Sequence, residues 1–220
     1  MYELRYEVLL RYTDLLIDGA LIAIGISVAS ILLGAILGML VALARTSNVA
    51  ALRLLAVGYV EVVRNIPLLL ILVFIYFVLP LVGVRGIDKF QSAVAAMSIY
   101  AAAYLSEVFR AGIEAVSDRY VQAAKSIGLS KHQTFVFIIC PIMIGEVLPA
   151  MGNNVVSLFK DSSLTSAISV PEITFAGRQI NIDTFRVIEA WTAVGAIYLV
   201  IGFLISLLLR RLEIVVVRWR

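Results

Sequence analysis

From Gly19 to Ala44 the chain runs 26 residues without a charged side chain, and no other feature limits its fold as sharply. A helix of that length would be about 39 Å long at about 1.5 Å per residue, more than the roughly 30 Å hydrocarbon core of a bilayer. Four more apolar runs follow. Ile66–Val84 supplies 19 residues, with Pro67 near its start and Pro80 near its end, and Gln91–Ser106 supplies 16, extendable through Glu107 and Val108 to Phe109. Gln133–Phe159 supplies 27 with Glu146 inside it, and Ala190–Leu209 supplies 20. In lipid each backbone polar group must find its partner within the chain, so such runs form helices. The pattern predicts an all-α polytopic membrane protein with five transmembrane helices. Composition agrees: the apolar set AVILMFWYC makes up 62% of the 220 residues and charged residues only 15%, whereas soluble domains carry about 25% charged residues.

Several chemistries are excluded at once. A single cysteine, Cys140, forms no internal disulfide, and one cysteine with one histidine, His132, does not make a structural zinc site. A net charge of +3 is too small to argue for nucleic acid. No G-x-x-x-x-G-K-[ST] phosphate loop is present, so the chain is expected not to hydrolyse ATP and to hold neither cofactor nor metal. No nucleophile–base pair is readable, and no catalytic residue is expected.

Lys and Arg in the connecting segments set the orientation. With five spans and the N-terminus outside, 11 of the 18 basic residues fall on the inner side, among them Arg45, Arg64, Arg110 and the tail residues Arg210, Arg211, Arg218 and Arg220. This predicts an outer N-terminus and an inner C-terminus. Residues 1–18 carry six charges of both signs, unlike a cleavable signal peptide, and are expected to form an extracytoplasmic segment. Residues 19–209 would form the membrane domain and residues 210–220 a cytoplasmic tail.

The longest inner loop, residues 110–134, is amphipathic. Ser117 and Asp118 are good N-cap residues for a helix starting near Arg119. Tyr120, Ala123, Ala124 and Ile127 recur at helical spacing on one face, with Gln122, Lys125 and Ser126 on the other. Gly128 ends the helix, and Ser130 with Gln133 forms a capping box ahead of the fourth span. Such a short helix cannot bury its apolar face alone. It either lies on the bilayer or fills a groove in a partner protein.

The stretch Gln122-Ala-Ala-(x3)-Gly128-(x9)-Ile138-x-Cys140-Pro141 resembles the conserved loop of ABC importer permeases, EAA-x3-G-x9-I-x-LP, with Gln122 in place of Glu and Cys140 in place of Leu. Tyr59–Leu69, Ala103–Ile113, Leu148–Asn153 and Leu158–Pro171 resemble the branch that carries polar amino acids, and the likeness runs from about Asp18 to Leu212. The resemblance implies a type I importer transmembrane domain with a methionine-permease-like fold, in a bacterial cytoplasmic (inner) membrane. It implies a cytoplasmic ABC ATPase dimer that binds ATP and Mg, an extracytoplasmic solute-binding protein, and a second permease subunit, identical or homologous. Gln122, Ala123, Ala124, Lys125, Ser126, Ile127 and Gly128 would then form the coupling helix. An importer of methionine or another small solute, and a membrane scaffold without transport, are the rival readings.

Polar groups inside the apolar runs are candidates for a substrate path. Glu146 is expected near mid-membrane, either lining the path or paired with another span. Pro149, Gly152, Asn153 and Asn154 predict a kink with amides directed inward. Asp161, Ser162, Ser163, Thr165 and Ser166 are expected near the outer end, either facing substrate or in a solvated loop. Gly34-x-x-x-Gly38 predicts close helix packing. Glu61, Arg64, Asn65, Glu107 and Arg110 are expected to anchor helix ends rather than to bind ligand.

Overall fold

The computed structural model describes residues 2–217, and every regular element among them is helical. A 3-10 turn, Tyr6–Tyr12, leads into α1 (Thr13–Arg45), followed by α2 (Ala50–Asn65). Next comes α3 (Leu68–Val73), which continues through a π-turn (Phe74–Val78) and a 3-10 turn (Leu79–Val82). After α4 (Lys89–Glu114) and α5 (Asp118–Ser126), α6 (Lys131–Thr134) passes through a π-turn (Phe135–Ile139) into α7 (Cys140–Asp161). A 3-10 turn (Ser162–Ile168), α8 (Ile173–Thr184) and α9 (Val187–Val217) complete the order.

Among the described residues four helical stretches are long and apolar enough to cross a membrane alone: Tyr6–Arg45, Lys89–Glu114, Lys131–Ile168 and Val187–Val215. The expected second span differs from the reading by apolar run. Proline disfavours helical backbone in the residue before it, and Ile66 is extended, at φ −103° and ψ 131°. α2 therefore stops at Asn65, and the chain turns through 104° before Leu68–Val82. That segment alone spans about 22 Å at about 1.5 Å per residue, and the bent pair gives a fifth span only when taken as one. Each π-turn ends two residues before a proline, Pro80 or Pro141. Proline offers no N–H to the preceding turn, and the widened turn takes up that loss. Arg218 and Arg220 of the expected basic tail lie outside the described residues.

α4 is the most buried span, and α1 packs on it most extensively. Towards α4 the buried face of α1 is built largely of small residues, among them Ser30, Gly34, Gly38 and Ala42. Opposite lie Val94, Ala101, Ala102 and Leu105 of α4. A Cβ on Gly38 would come within 3.0 Å of the Ala102 carbonyl oxygen, so the backbones approach as closely as the G-x-x-x-G spacing predicts. α4 begins on a capping box in which Asp88 accepts from the Gln91 backbone N–H and Gln91 Oε1 accepts from that of Asp88.

Residues 160–189, which follow the fourth apolar run, are largely helical. α8 starts on Glu172, a fully buried carboxylate that accepts from the backbone N–H groups of Thr174 and Phe175 and from the Tyr198 hydroxyl. Burial pushes this carboxyl above the ordinary range, against the hydrogen bond from Tyr198 and those from the backbone, which pull it down. The N-terminal segment is not separate from the bundle. Arg5 N–H donates to Glu189 Oε1 at 2.8 Å, the Tyr2 hydroxyl donates to the same carboxylate, and Arg186 donates to the Glu3 carbonyl oxygen at 2.8 Å.

Candidate coupling helix and substrate pocket

α5 occupies the position expected for the amphipathic loop helix. Ser117 sits at its N-cap without capping it; the Ser117 hydroxyl instead accepts from Arg119 Nε. Gly128 has φ +80°, the left-handed conformation glycine adopts without a steric penalty. The Gly128 and Leu129 N–H groups reach back to the carbonyls of Lys125 and Ala124, each at 3.0 Å, closing a Schellman cap. The Ser130–Gln133 capping box then forms as expected.

The predicted apolar face of α5 is divided between two environments. Ala124 is buried against the body of the protein, whereas Tyr120, Ala123 and Ile127 are exposed, Ile127 at 75%. Gln122, Lys125, Ser126 and Gly128 are exposed beside them. One small side chain seats the helix on its own subunit, and the apolar and polar groups around it are left for another surface.

A second feature lies between α4 and α7. Tyr100 and Tyr104 of α4 face Asn154, Ser157 and Asp161 of α7 across a pocket of 260 Å³, with Ile31 of α1 at its edge. The Tyr100 hydroxyl donates to that of Tyr104 at 3.2 Å, and their rings lie 4.7 Å apart. Asn154 Nδ2 donates to the Ala150 carbonyl oxygen at 2.9 Å, which turns the amide oxygen away from that bond. Asp161, half-buried, brings the carboxylate. Tyrosine reads as apolar within a span, so the pair was not a candidate from sequence; its i, i+4 spacing opposite the α7 amides was the available signal.

The other polar candidates are placed differently. Ser162 and Thr165 are fully buried, and their hydroxyls donate to the Phe159 and Ser162 carbonyl oxygens at 2.6 and 2.7 Å. Ser163 is half-buried, and its carbonyl accepts from the Ser166 hydroxyl at 2.8 Å. Asn153 lies in a different groove, 280 Å³ between α7 and α9, that also holds Arg210 and Glu213. Pro149 stands inside α7, which continues unbroken past it.

Glu146 lies beside the last turns of α4. It shares a groove of 580 Å³ with Arg64, Glu107, Arg110 and Gly112. Charges converge there on Glu107. Arg45 reaches it at 2.6 Å, Arg110 at 2.9 Å and Arg64 at 3.5 Å, while Arg110 also holds Glu114 at 2.7 Å. Glu107 and Arg110 pair within α4, and Arg45 and Arg64 join them from α1 and α2. Asn65 Nδ2 donates to the Glu61 carbonyl oxygen at 2.7 Å, fastening the end of α2. Among the described residues no cluster of His, Cys, Asp and Glu could hold a metal ion.

The chain is 36% identical over 200 residues to the glutamine transport system permease protein GlnP of Escherichia coli (strain K12), covering 90% of this chain and 91% of that one. Its fold superposes on a crystal structure described as an amino acid ABC transporter with histidines, with TM-score 0.88, 32% identity, and 96% and 99% of the two chains covered. An inward-facing MetNI methionine ABC transporter shares the fold at TM-score 0.78 and 19% identity, over 94% and 98% of the chains. Residues 15–214 match the family described as the binding-protein-dependent transport system inner membrane component; the bundle, the loop helix and these likenesses agree, and the chain belongs to that family.

Proposed function

We propose that this chain is the permease subunit of an ATP-driven, binding-protein-dependent importer of polar amino acids or close derivatives. The observation that carries the reading is the pocket between α4 and α7. Inside an otherwise apolar bundle, one carboxylate, one amide, one serine and two phenols converge on a space of 260 Å³. Polar side chains at membrane depth are costly unless they face a polar ligand or water. A zwitterionic ammonium group would be taken by Asp161, with Asn154 and the tyrosine hydroxyls replacing its water.

The chain itself performs no chemistry in this scheme. ATP and Mg are held by a separate pair of cytoplasmic ATPase subunits, and α5 docks into them through Tyr120, Ala123 and Ile127. Closure of that pair moves α5, which is joined along the chain to α4 on one side and through α6 and the π-turn to α7 on the other, the two walls of the pocket. The Lys and Arg distribution supports an outer N-terminus and an inner C-terminus in a bacterial inner membrane. A solute-binding protein would deliver substrate to the outer side.

A second permease subunit, identical or homologous, completes the path. Glu146, Pro149, Asn153, Ser157 and Lys160 are all exposed along α7. They recur at three- and four-residue steps, and lipid is a poor neighbour for such a stripe. The test is uptake of a panel of radiolabelled amino acids into proteoliposomes holding the complex. Uptake that requires both internal ATP and the binding protein supports the reading, and uptake that proceeds without ATP overturns it.

A further inference from the structure

A zwitterion moved out of water needs a partner for each of its charges. The lining of the Asp161 pocket supplies an anion and neutral polar groups, but no cation. Lys160 neighbours Asp161 in sequence yet lines a different groove, between α7 and α9. Arg64 lies in the adjoining groove with Glu107, and its guanidinium carbon sits over the Tyr104 ring that walls the pocket, 5.2 Å from the ring centroid.

Arg64 is also the loosest of the three arginines around Glu107. Arg45 and Arg110 hold that carboxylate at 2.6 and 2.9 Å, against 3.5 Å for Arg64. The Arg64 side chain is 42% exposed, compared with 11% for Arg45. A guanidinium stacked on an aromatic face keeps its N–H edge free for a second acceptor, and its planar fork matches a carboxylate. The Pro67 elbow sets this position, since it ends α2 at Asn65 and leaves Arg64 in the last turn, above Tyr104.

We propose that Arg64 receives the α-carboxylate of an amino acid whose ammonium group sits at Asp161, with the Tyr100 and Tyr104 hydroxyls between them. The inference rests on the Asp161 pocket being the substrate site. It makes Arg64 the residue that demands a free α-carboxylate, and not only an anchor for a helix end. The pocket is then polarised along α4, and one orientation of the substrate satisfies both of its charges.

The test is direct binding to the permease–ATPase complex without binding protein. Glutamine and arginine are compared with their α-carboxamides by equilibrium dialysis. The wild type should favour the free acid over the amide by about 10- to 100-fold, the range of one charged hydrogen-bonded pair. Arg64→Gln should bring that ratio close to one while leaving amide affinity unchanged. Arg64→Lys, which keeps the charge near Glu107 but loses the fork, should fall between. Asp161→Asn should weaken acid and amide alike and preserve the ratio. Equal weakening of acid and amide in Arg64→Gln would assign it a purely structural role and overturn the inference. Equal binding of acid and amide by the wild type would also overturn it, leaving the amino acid reading intact. Binding of neither amino acid to the wild type would overturn both.

Discussion

A Cβ placed on Gly34 would lie 2.6 Å from the Cβ of Ala101. No pair of real side-chain carbons sits so close, so α1 and α4 tolerate only hydrogen at that point. Gly34→Ala should force the helices apart and cost about 1–3 kcal/mol, the usual range for overpacking. Gly25→Ala is the control, because nothing lies within 4 Å of its Cβ position. Thermal denaturation of the detergent-solubilised protein compares the two: the first variant should melt lower, and the second should melt with the wild type.

Ile127→Asp should leave the fold intact and uncouple transport. The side chain is 75% exposed, and surface changes of this kind usually alter stability by no more than about 0.5 kcal/mol. An unchanged melting temperature together with lost co-purification of an ATPase would identify the surface. Retained co-purification and normal uptake would assign the exposed side of α5 another role.

Asp161→Asn removes the anion of the pocket while keeping its shape. With a charged hydrogen bond contributing about 1.5–3 kcal/mol, apparent affinity in uptake should fall about 10- to 100-fold. Ser162→Ala, at a hydroxyl already donated to the Phe159 carbonyl oxygen, should leave substrate affinity unchanged. A reversed order of effects would relocate the site.

Glu172 offers a test of pH dependence. Burial holds its carboxyl above the unfolded value, so the folded state favours the protonated form. Its contribution is therefore complete below the unfolded value and is lost as pH rises through the folded one. Melting temperatures of the wild type and Glu172→Gln across mildly acidic to neutral pH should diverge in that sense. The wild type should decline relative to the variant, and parallel curves would mean that the hydrogen bonds offset burial.

What could be read before folding follows from how local each signal is. Spans announce themselves by uncharged length, and α5 by the breaks at Ser117 and Gly128, because these depend on neighbouring residues alone. Gly34 and Gly38 were legible for the same reason. The Pro67 elbow was underestimated because counting apolar residues overlooks a residue that forbids helix just before it. Asp161 and Asn154 stood out as polar groups near the end of an apolar run. Tyr100 and Tyr104 did not, since a phenol becomes polar lining only when another helix brings an amide or carboxylate opposite. Arg64 reads as an anchor until the 104° corner places it over Tyr104.

The hydrogen bonds that tie Tyr2 and Arg5 to Glu189 join residues 187 and 184 positions apart. At about 5–20 residues per second of synthesis, the acceptor leaves the ribosome roughly 10 to 40 seconds after its donors. Until then Tyr2 and Arg5 lack this acceptor, and α9, once threaded, meets its clasp already waiting. Closure of this latch is thus timed by α9, and a nascent chain cut short before Val187 would display an unlatched N-terminal segment to any quality-control protease in reach.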